Sequence, residues 1–132
     1  MIDAERVEGL LRTDPFAAGL GIRLVDVGES TITIEMTVVE AMTNFHGGLH
    51  GGVMFSLADC ALSLYSNSYG ETAVAIDTHM VFSAAVKPGE TLSAVVEEVH
   101  RGRSLATYRV LVDRADGKLA GHFTGTVLIR NS

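Results

Sequence analysis

Residues 51–68, Gly-Gly-Val-Met-Phe-Ser-Leu-Ala-Asp-Cys-Ala-Leu-Ser-Leu-Tyr-Ser-Asn-Ser, are the longest stretch of this chain with no two-residue alternation of polar and apolar side chains. The stretch is rich in helix formers and predicts one helix of roughly five turns. On both sides the pattern becomes that of strands. Ile32, Ile34, Met36 and Val38 alternate with Thr31, Thr33, Glu35 and Thr37 across residues 31–39, the mark of a half-buried strand. Residues 22–27 form its expected hairpin partner across Gly28-Glu29-Ser30. Further strands are expected at 72–82, 91–100, 104–113 and 118–130. They are separated by Lys87-Pro88-Gly89, Arg101-Gly102-Arg103 and Ala115-Asp116-Gly117, all good turn chemistry. Two short helical pieces come first: one over 3–11, and one opened by Thr13-Asp14-Pro15 and closed at Gly19 or Gly21. Strands, one long helix and more strands predict an α+β domain whose antiparallel sheet packs on a central helix.

A length of 132 residues makes a single domain, 1–132, the expectation. Apolar residues at 47% and charged residues at 20% exclude a disordered chain. No apolar run approaches the ~18 residues of a membrane span. The first residues mix charge with apolar side chains, unlike a signal peptide. Acidic residues outnumber basic ones 16 to 10 and no basic tract occurs, which argues against nucleic acid as a partner. The net charge of −6 does not exclude an anionic ligand held by local groups. The single cysteine, Cys60, fits a reducing cytoplasm and implies no metal through cysteine spacing.

Chemistry concentrates on the long helix. At ~100° per residue, Gly52, Ser56, Asp59, Cys60, Ser63, Ser66 and Asn67 share an arc of about 120°, and apolar residues fill the rest. Asp59 is the only charged residue in the segment. A solvated face would carry Lys, Glu or Arg; this one carries Ser, Gly, Cys and one Asp. A lone carboxylate among small residues reads as the floor of a cleft or a subunit contact, set against the plainer reading of a polar face turned to water.

The approach to that helix, Thr43 to Gly52, holds four glycines and two histidines in ten residues. Bare amides at a helix start suit an anion or a developing oxyanion, although a glycine pair alone more often makes only a tight loop. His46 and His50 lie four apart, but the intervening glycines oppose a regular helix and no third ligand accompanies them, so no metal is expected. His79, close to Asp77 on one strand face, and His100 and His122 read as structural. Cys60 has no accompanying base and is not expected to be a nucleophile.

The segment from Met42 to Gly70 resembles the signature of the PaaI-type acyl-CoA thioesterases of the hotdog fold. The resemblance is carried by Asn44, His50-Gly51-Gly52, Phe55, Leu57-Ala58-Asp59 and Asn67-Ser68-Tyr69-Gly70. Weaker agreement lies at Phe16–Ile22, Gly89–Leu92 and His100–Arg103. The resemblance implies a hotdog fold and acyl-CoA thioester hydrolysis to free acid and coenzyme A, with an aryl or short- to medium-chain acyl group. It implies Asp59 as general base or nucleophile and the Gly51 amide as the group polarising the carbonyl. It gives Asn44 and His50 roles in positioning water and thioester, and it places Gly52, Phe55 and Ser63 around the substrate. It also implies a site between two subunits, with a homodimer as the minimum active unit and a homotetramer as the expected assembly. Hydrolysis of this kind needs no cofactor, and none is expected.

The chain departs from the pattern where the family often has a Thr or Ser after the Asp. Cys60 stands there, a weak hydrogen-bond partner, and Ser63 is the nearest hydroxyl on the helix, so the role falls to Ser63 or to a hydroxyl from elsewhere. Ser83-Ala84-Ala85 is smaller than the family's usual strand end, which bears on the acyl pocket, for which Met54, Phe55, Leu62 and Tyr65 are the candidates. Arg101, Arg103 and Lys87 are the candidate contacts to the phosphates of coenzyme A. Two other activities fit these residues less well. A hotdog module that binds acyl-CoA without cleaving it has no need of a carboxylate beside a thioester. A hydratase would want an Asp–His pair, and no histidine lies between Asp59 and His79.

Overall fold

The computed structural model describes residues 1–130. Helix α1 (Ala4–Arg12) begins where Asp3 Oδ1 accepts the amides of Glu5 and Arg6, at 3.1 and 3.3 Å. Helix α2 (Pro15–Gly19) begins where Asp14 Oδ1 accepts the Ala17 amide at 3.0 Å, with Pro15 preset in the first turn. Strands β1 (Arg23–Val27) and β2 (Thr31–Thr37) form the expected hairpin. A single 3-10 turn, Glu40–Met42, and a glycine loop lead into α3 (Gly51–Ser66). Strands β3 (Thr72–Phe82), β4 (Thr91–Arg101), β5 (Leu105–Arg114) and β6 (Leu119–Arg130) follow.

All six strands make one antiparallel sheet in the order β1-β2-β4-β5-β6-β3. β2 alternates strictly between buried and half-buried residues, and β4 and β5 alternate over most of their length. The sheet's inner face presents Ile34, Ala94, Tyr108, Val110 and Phe123 to Leu57, Ala58, Ala61 and Leu62 of α3, all without solvent exposure. Burial of each large apolar side chain contributes roughly 1.5–3 kcal/mol, so the helix is held by its apolar two-thirds. The architecture is the antiparallel sheet on a central helix that the order of elements predicts, and it is the hotdog that the resemblance implies.

Helix α3 ends at Ser66, two residues before the expected stop. Asn67 takes over the chain there. Its Nδ2 donates to the carbonyls of Ser63 (2.9 Å) and Ala73 (3.1 Å), and its Oδ1 accepts the Ala73 amide at 2.8 Å. That clasp ends the helix and fixes the start of β3. Ser66, expected on the open arc, is buried. Leu62 and Tyr65, offered as acyl-pocket residues, belong to the core: Tyr65 packs on Tyr108 and donates to the Ser30 carbonyl.

Candidate active site

The glycine loop is pinned at both ends. The Asn44 amide donates to the Gly48 carbonyl (2.9 Å) and Asn44 Oδ1 accepts the His46 amide (2.9 Å). The His50 amide donates to the Met42 carbonyl and the Leu49 amide to the Val86 carbonyl, both at 2.8 Å. These bonds fix the start of α3 against the segment that follows β3.

His50 is the N-cap of α3, and its Nδ1 accepts the Gly52 amide at 2.9 Å. Accepting at Nδ1 leaves the ring proton on Nε2. A Cβ on Gly52 would stand 3.1 Å from that Nδ1, so the bare Gly52 backbone makes room for the ring to fold back. The Gly52 amide, one of the expected substrate contacts, is thereby committed within the chain. The Gly51 amide has no acceptor among the described residues. Gly51 and Asn44 line one cavity of about 370 Å³, together with Leu49, Met54, Phe82, Ala84 and Val86, and with Lys87 also on its wall.

Asp59 lies eight residues further along α3, about 12 Å at the helical rise. Its carboxylate is half-buried and makes no hydrogen bond among the described residues. Burial raises its pKa above the ordinary aspartate value. It lines a second cavity with Phe55, Ala75, Ile76, Asp77 and Thr78. Phe55 packs edge-on against Phe123, with ring centroids 5.5 Å apart. Ser63 is exposed and is not among the residues lining either cavity. The Cys60 thiol is pushed up to about 12, first by burial and then by the charges of Asp14 and Asp59, so it stays protonated.

The two candidate cationic side chains near residue 102 separate. Arg103 is exposed. Arg101, the last residue of β4, is turned inward. Its guanidinium donates to Glu71 (2.7 Å), Tyr108 (2.9 Å) and Glu98 (3.4 Å) and lies 4.3 Å from the centre of the Tyr69 ring. Arg101, expected at the phosphates of coenzyme A, therefore ties β4 and β5 to the segment that follows α3. Contacts separated by thirty residues, as Arg101 and Glu71 are, leave no local mark in a sequence.

The described residues contain no cluster of three His, Cys, Asp or Glu fit for a metal ion, and no helix among them is long and apolar enough to cross a membrane.

A glycine loop with a free amide at the start of a buried helix, and an unpaired carboxylate on that helix's open face, set in a hotdog sheet, define a class of hydrolase scaffold. The thioesterase superfamily model matches residues 46–120. The chain is 31% identical over 121 residues to acyl-coenzyme A thioesterase PaaI of Escherichia coli K12, covering 92% of this chain and 86% of that protein. It is 43% identical over 113 residues to a Deinococcus radiodurans protein assigned only provisionally as an esterase, covering 85% of this chain and 77% of the other. The solved structure of E. coli PaaI, from the phenylacetic acid degradation operon, superposes with a TM-score of 0.94 at 29% identity. It covers 98% of this chain and 94% of that one. The chain belongs to the thioesterase superfamily.

Proposed function

We propose that this protein hydrolyses acyl-CoA thioesters carrying an aryl or short- to medium-chain acyl group, releasing the free acid and coenzyme A. The observation that carries the reading is the pair of unspent groups on α3. Among the described residues the Gly51 amide at the helix start has no acceptor, and the Asp59 carboxylate has no donor. An amide free at a helix N-terminus polarises a thioester carbonyl and stabilises the oxyanion that forms on it. A carboxylate whose pKa is raised is a better base than an exposed aspartate, and it acts on water or attacks the carbonyl directly. Asn44, beside Gly51, orients the thioester. His50 fixes the helix start and offers its Nε2 side to the bound group.

Within one chain the two groups line different cavities. The proposed site is completed by a second copy, whose Gly51 meets Asp59 of the first. Exposed Val74, Ile76, Val81 and Phe82 on β3, an edge strand of the sheet, support such pairing. A homodimer is then the minimum active unit and a tetramer of two dimers the expected assembly. The apolar cavity beside Gly51 suits an aryl or short acyl group, and exposed Lys87 and Arg103 serve the phosphates. A cytoplasmic location agrees with the single free cysteine.

The test is thiol release from aryl-, hydroxyaryl- and C4–C16 acyl-CoA esters by wild type and Asp59→Ala. Turnover by wild type alone is expected. Equal turnover by both proteins rejects the catalytic assignment, and saturable binding without thiol release favours a binding module. Sedimentation that finds a stable, active monomer at micromolar concentration rejects the shared site.

A further inference from the structure

We infer that Arg114, which lines neither cavity, is a positioning residue: it sets the wall of the cavity beside Gly51 and with it the size of acyl group the protein accepts. The inference rests on the proposed reading of that cavity as the acyl pocket. The wall is the stretch 83–87, which has no regular structure and runs from the end of β3 towards the start of β4. Ala84, Ala85, Val86 and Lys87 face the cavity from that side. Backbone outside helix and sheet must find its hydrogen-bond partners one by one. The Ser83 and Ala84 amides share the Ala120 carbonyl, at 2.8 and 3.4 Å. The Val86 carbonyl accepts the Leu49 amide at 2.8 Å, and the Val86 side chain is buried. Between these fixed points lies Ala85, which is exposed, so no side-chain packing holds it.

Arg114, the last residue of β5, supplies the missing hold. Its Nη1 donates to the Ala85 carbonyl at 3.1 Å, the one partner of that carbonyl among the described residues. Its Nε stands 3.3 Å from Glu90 Oε1, and Glu90 Oε2 accepts the Lys87 amide at 2.7 Å. One guanidinium thus reaches the wall at Ala85 directly and at Lys87 through Glu90. Its Nη2 meets Asp116 Oδ2 at 3.1 Å, in the turn between β5 and β6. A planar fork of donors suits this task, and a lysine ammonium, a point charge, cannot copy it. A charged donor also bonds a carbonyl about twice as strongly as a neutral one. The Val86 carbonyl is drawn to the glycine loop and the Ala85 carbonyl to β5. Two consecutive peptide groups held by different elements fix the rotation of the chain between them, and so the place of the small side chains that bound the cavity. Without Arg114 the exposed Ala85 carbonyl turns to water at little cost in stability. The wall then yields to a bulkier acyl group.

The experiment compares wild type, Arg114→Ala, Arg114→Lys and Asp116→Asn by thiol release, with circular dichroism to confirm folding. The readout is the ratio of kcat/KM for dodecanoyl-CoA over butyryl-CoA, or for naphthoyl-CoA over benzoyl-CoA where only aryl esters are turned over. Arg114→Ala is expected to raise that ratio by about tenfold, the scale on which an apolar pocket senses a methylene. The change should lie in KM, with kcat for the smaller ester within about twofold, because no group that touches the reacting atoms is altered. Arg114→Lys keeps the charge and the stem but not the fork, and should raise the ratio by about threefold. Asp116→Asn neutralises the third arm and keeps the Oδ1 that accepts the Lys118 amide. It should leave the ratio within about twofold of wild type, as expected for an exposed ion pair. An unchanged ratio in a folded Arg114→Ala overturns the inference, and so does an unchanged ratio in Arg114→Lys where only that variant folds. A fall of kcat alike for both esters, or an equal shift of the ratio in Asp116→Asn, also overturns it, since Arg114 would then serve the β5–β6 hairpin alone. A wild type that turns over none of the esters overturns the proposed function instead.

Discussion

His50 Nδ1 accepts the Gly52 amide at 2.9 Å, and this single bond decides which amide at the head of α3 stays free. Gly52 is taken by the cap, and Gly51 is left to face the cavity it shares with Asn44. The bond therefore has a structural and a chemical consequence.

Removing the cap separates the two. Loss of an N-cap side chain costs about 1 kcal/mol, and asparagine is among the best replacements. His50→Ala should lose about 1 kcal/mol in urea denaturation and frees a second amide beside Gly51. His50→Asn should recover most of the stability. If hydrolysis follows stability in the two variants, His50 serves the helix start alone. If activity stays low in His50→Asn while stability returns, the imidazole has its own part in binding the thioester.

Asp59 gives opposite signs for activity and stability. Burial raises its pKa, and the proposed reaction needs the ionised form. Hydrolysis should therefore rise with pH through an acid limb lying above the value of about 3.9 of an exposed aspartate. For stability, a carboxyl with a raised folded pKa binds its proton more tightly when folded. The penalty is absent below the unfolded pKa, grows as pH rises towards the folded pKa, and is fully present above it. Asp59→Asn should abolish turnover, raise Tm at pH 7 and leave Tm unchanged near pH 3. A drop in Tm at pH 7 would mean that the carboxylate is stabilising, against the direction set by its burial.

Much of this was legible in the chain because the signals are local. Alternation at Thr31–Thr37 marks a strand, Asp3 and Asp14 mark helix starts, and the contrast of one carboxylate with a small-residue face marks Asp59. What was not legible depends on residues far apart. The strand order sends β3 to the far side of β6, and nothing in either strand announces that pairing. Arg101 looked like a loop charge until Glu71, Glu98 and Tyr108 closed around it. The bulge in β3, where Asp77 and not Ile76 pairs with Thr126, is invisible to periodicity, because β3 is apolar and polar on both faces by turns.

The Arg101 network makes the two neighbouring arginines differ in kind. Arg101 and Glu98 have side chains 15% and 19% exposed, and Tyr108 is fully buried. Arg101→Ala would leave the Glu98 carboxylate and the Tyr108 hydroxyl without their shared partner. A loss of about 3 kcal/mol is expected from breaking a largely buried ion pair. Arg103→Ala, on an exposed turn, should change stability by less than about 0.5 kcal/mol. Its effect belongs in KM for acyl-CoA, which should rise, and more so at low ionic strength, where surface charges act further. Urea denaturation and substrate titration at two salt concentrations separate the pair. Similar stability losses in both would mean that the turn, and not the buried guanidinium, carries the effect.

Gly121 has the tightest surroundings of the glycines. A Cβ built there would lie 2.7 Å from Met80 Cε and 2.9 Å from Met54 Sδ. The absent side chain lets two flexible thioethers meet over β6, and Met54 goes on to line the cavity beside Gly51. Gly121→Ala forces both ends to move, at a cost of roughly 1–3 kcal/mol. Met80→Ala alone removes partly buried apolar contacts and should cost about 2 kcal/mol. In the double variant the new methyl group occupies space that Met80 gives up, so the two losses should fall short of their sum by about 1 kcal/mol, the coupling expected of residues in contact. Urea denaturation of the four proteins measures that difference. The activity of Gly121→Ala adds a second reading, because a Met54 thioether pushed outward shortens the cavity. Turnover of the longest acyl-CoA esters should fall before that of the shortest, and Met80→Ala in the same chain should restore it by giving Met54 room to withdraw.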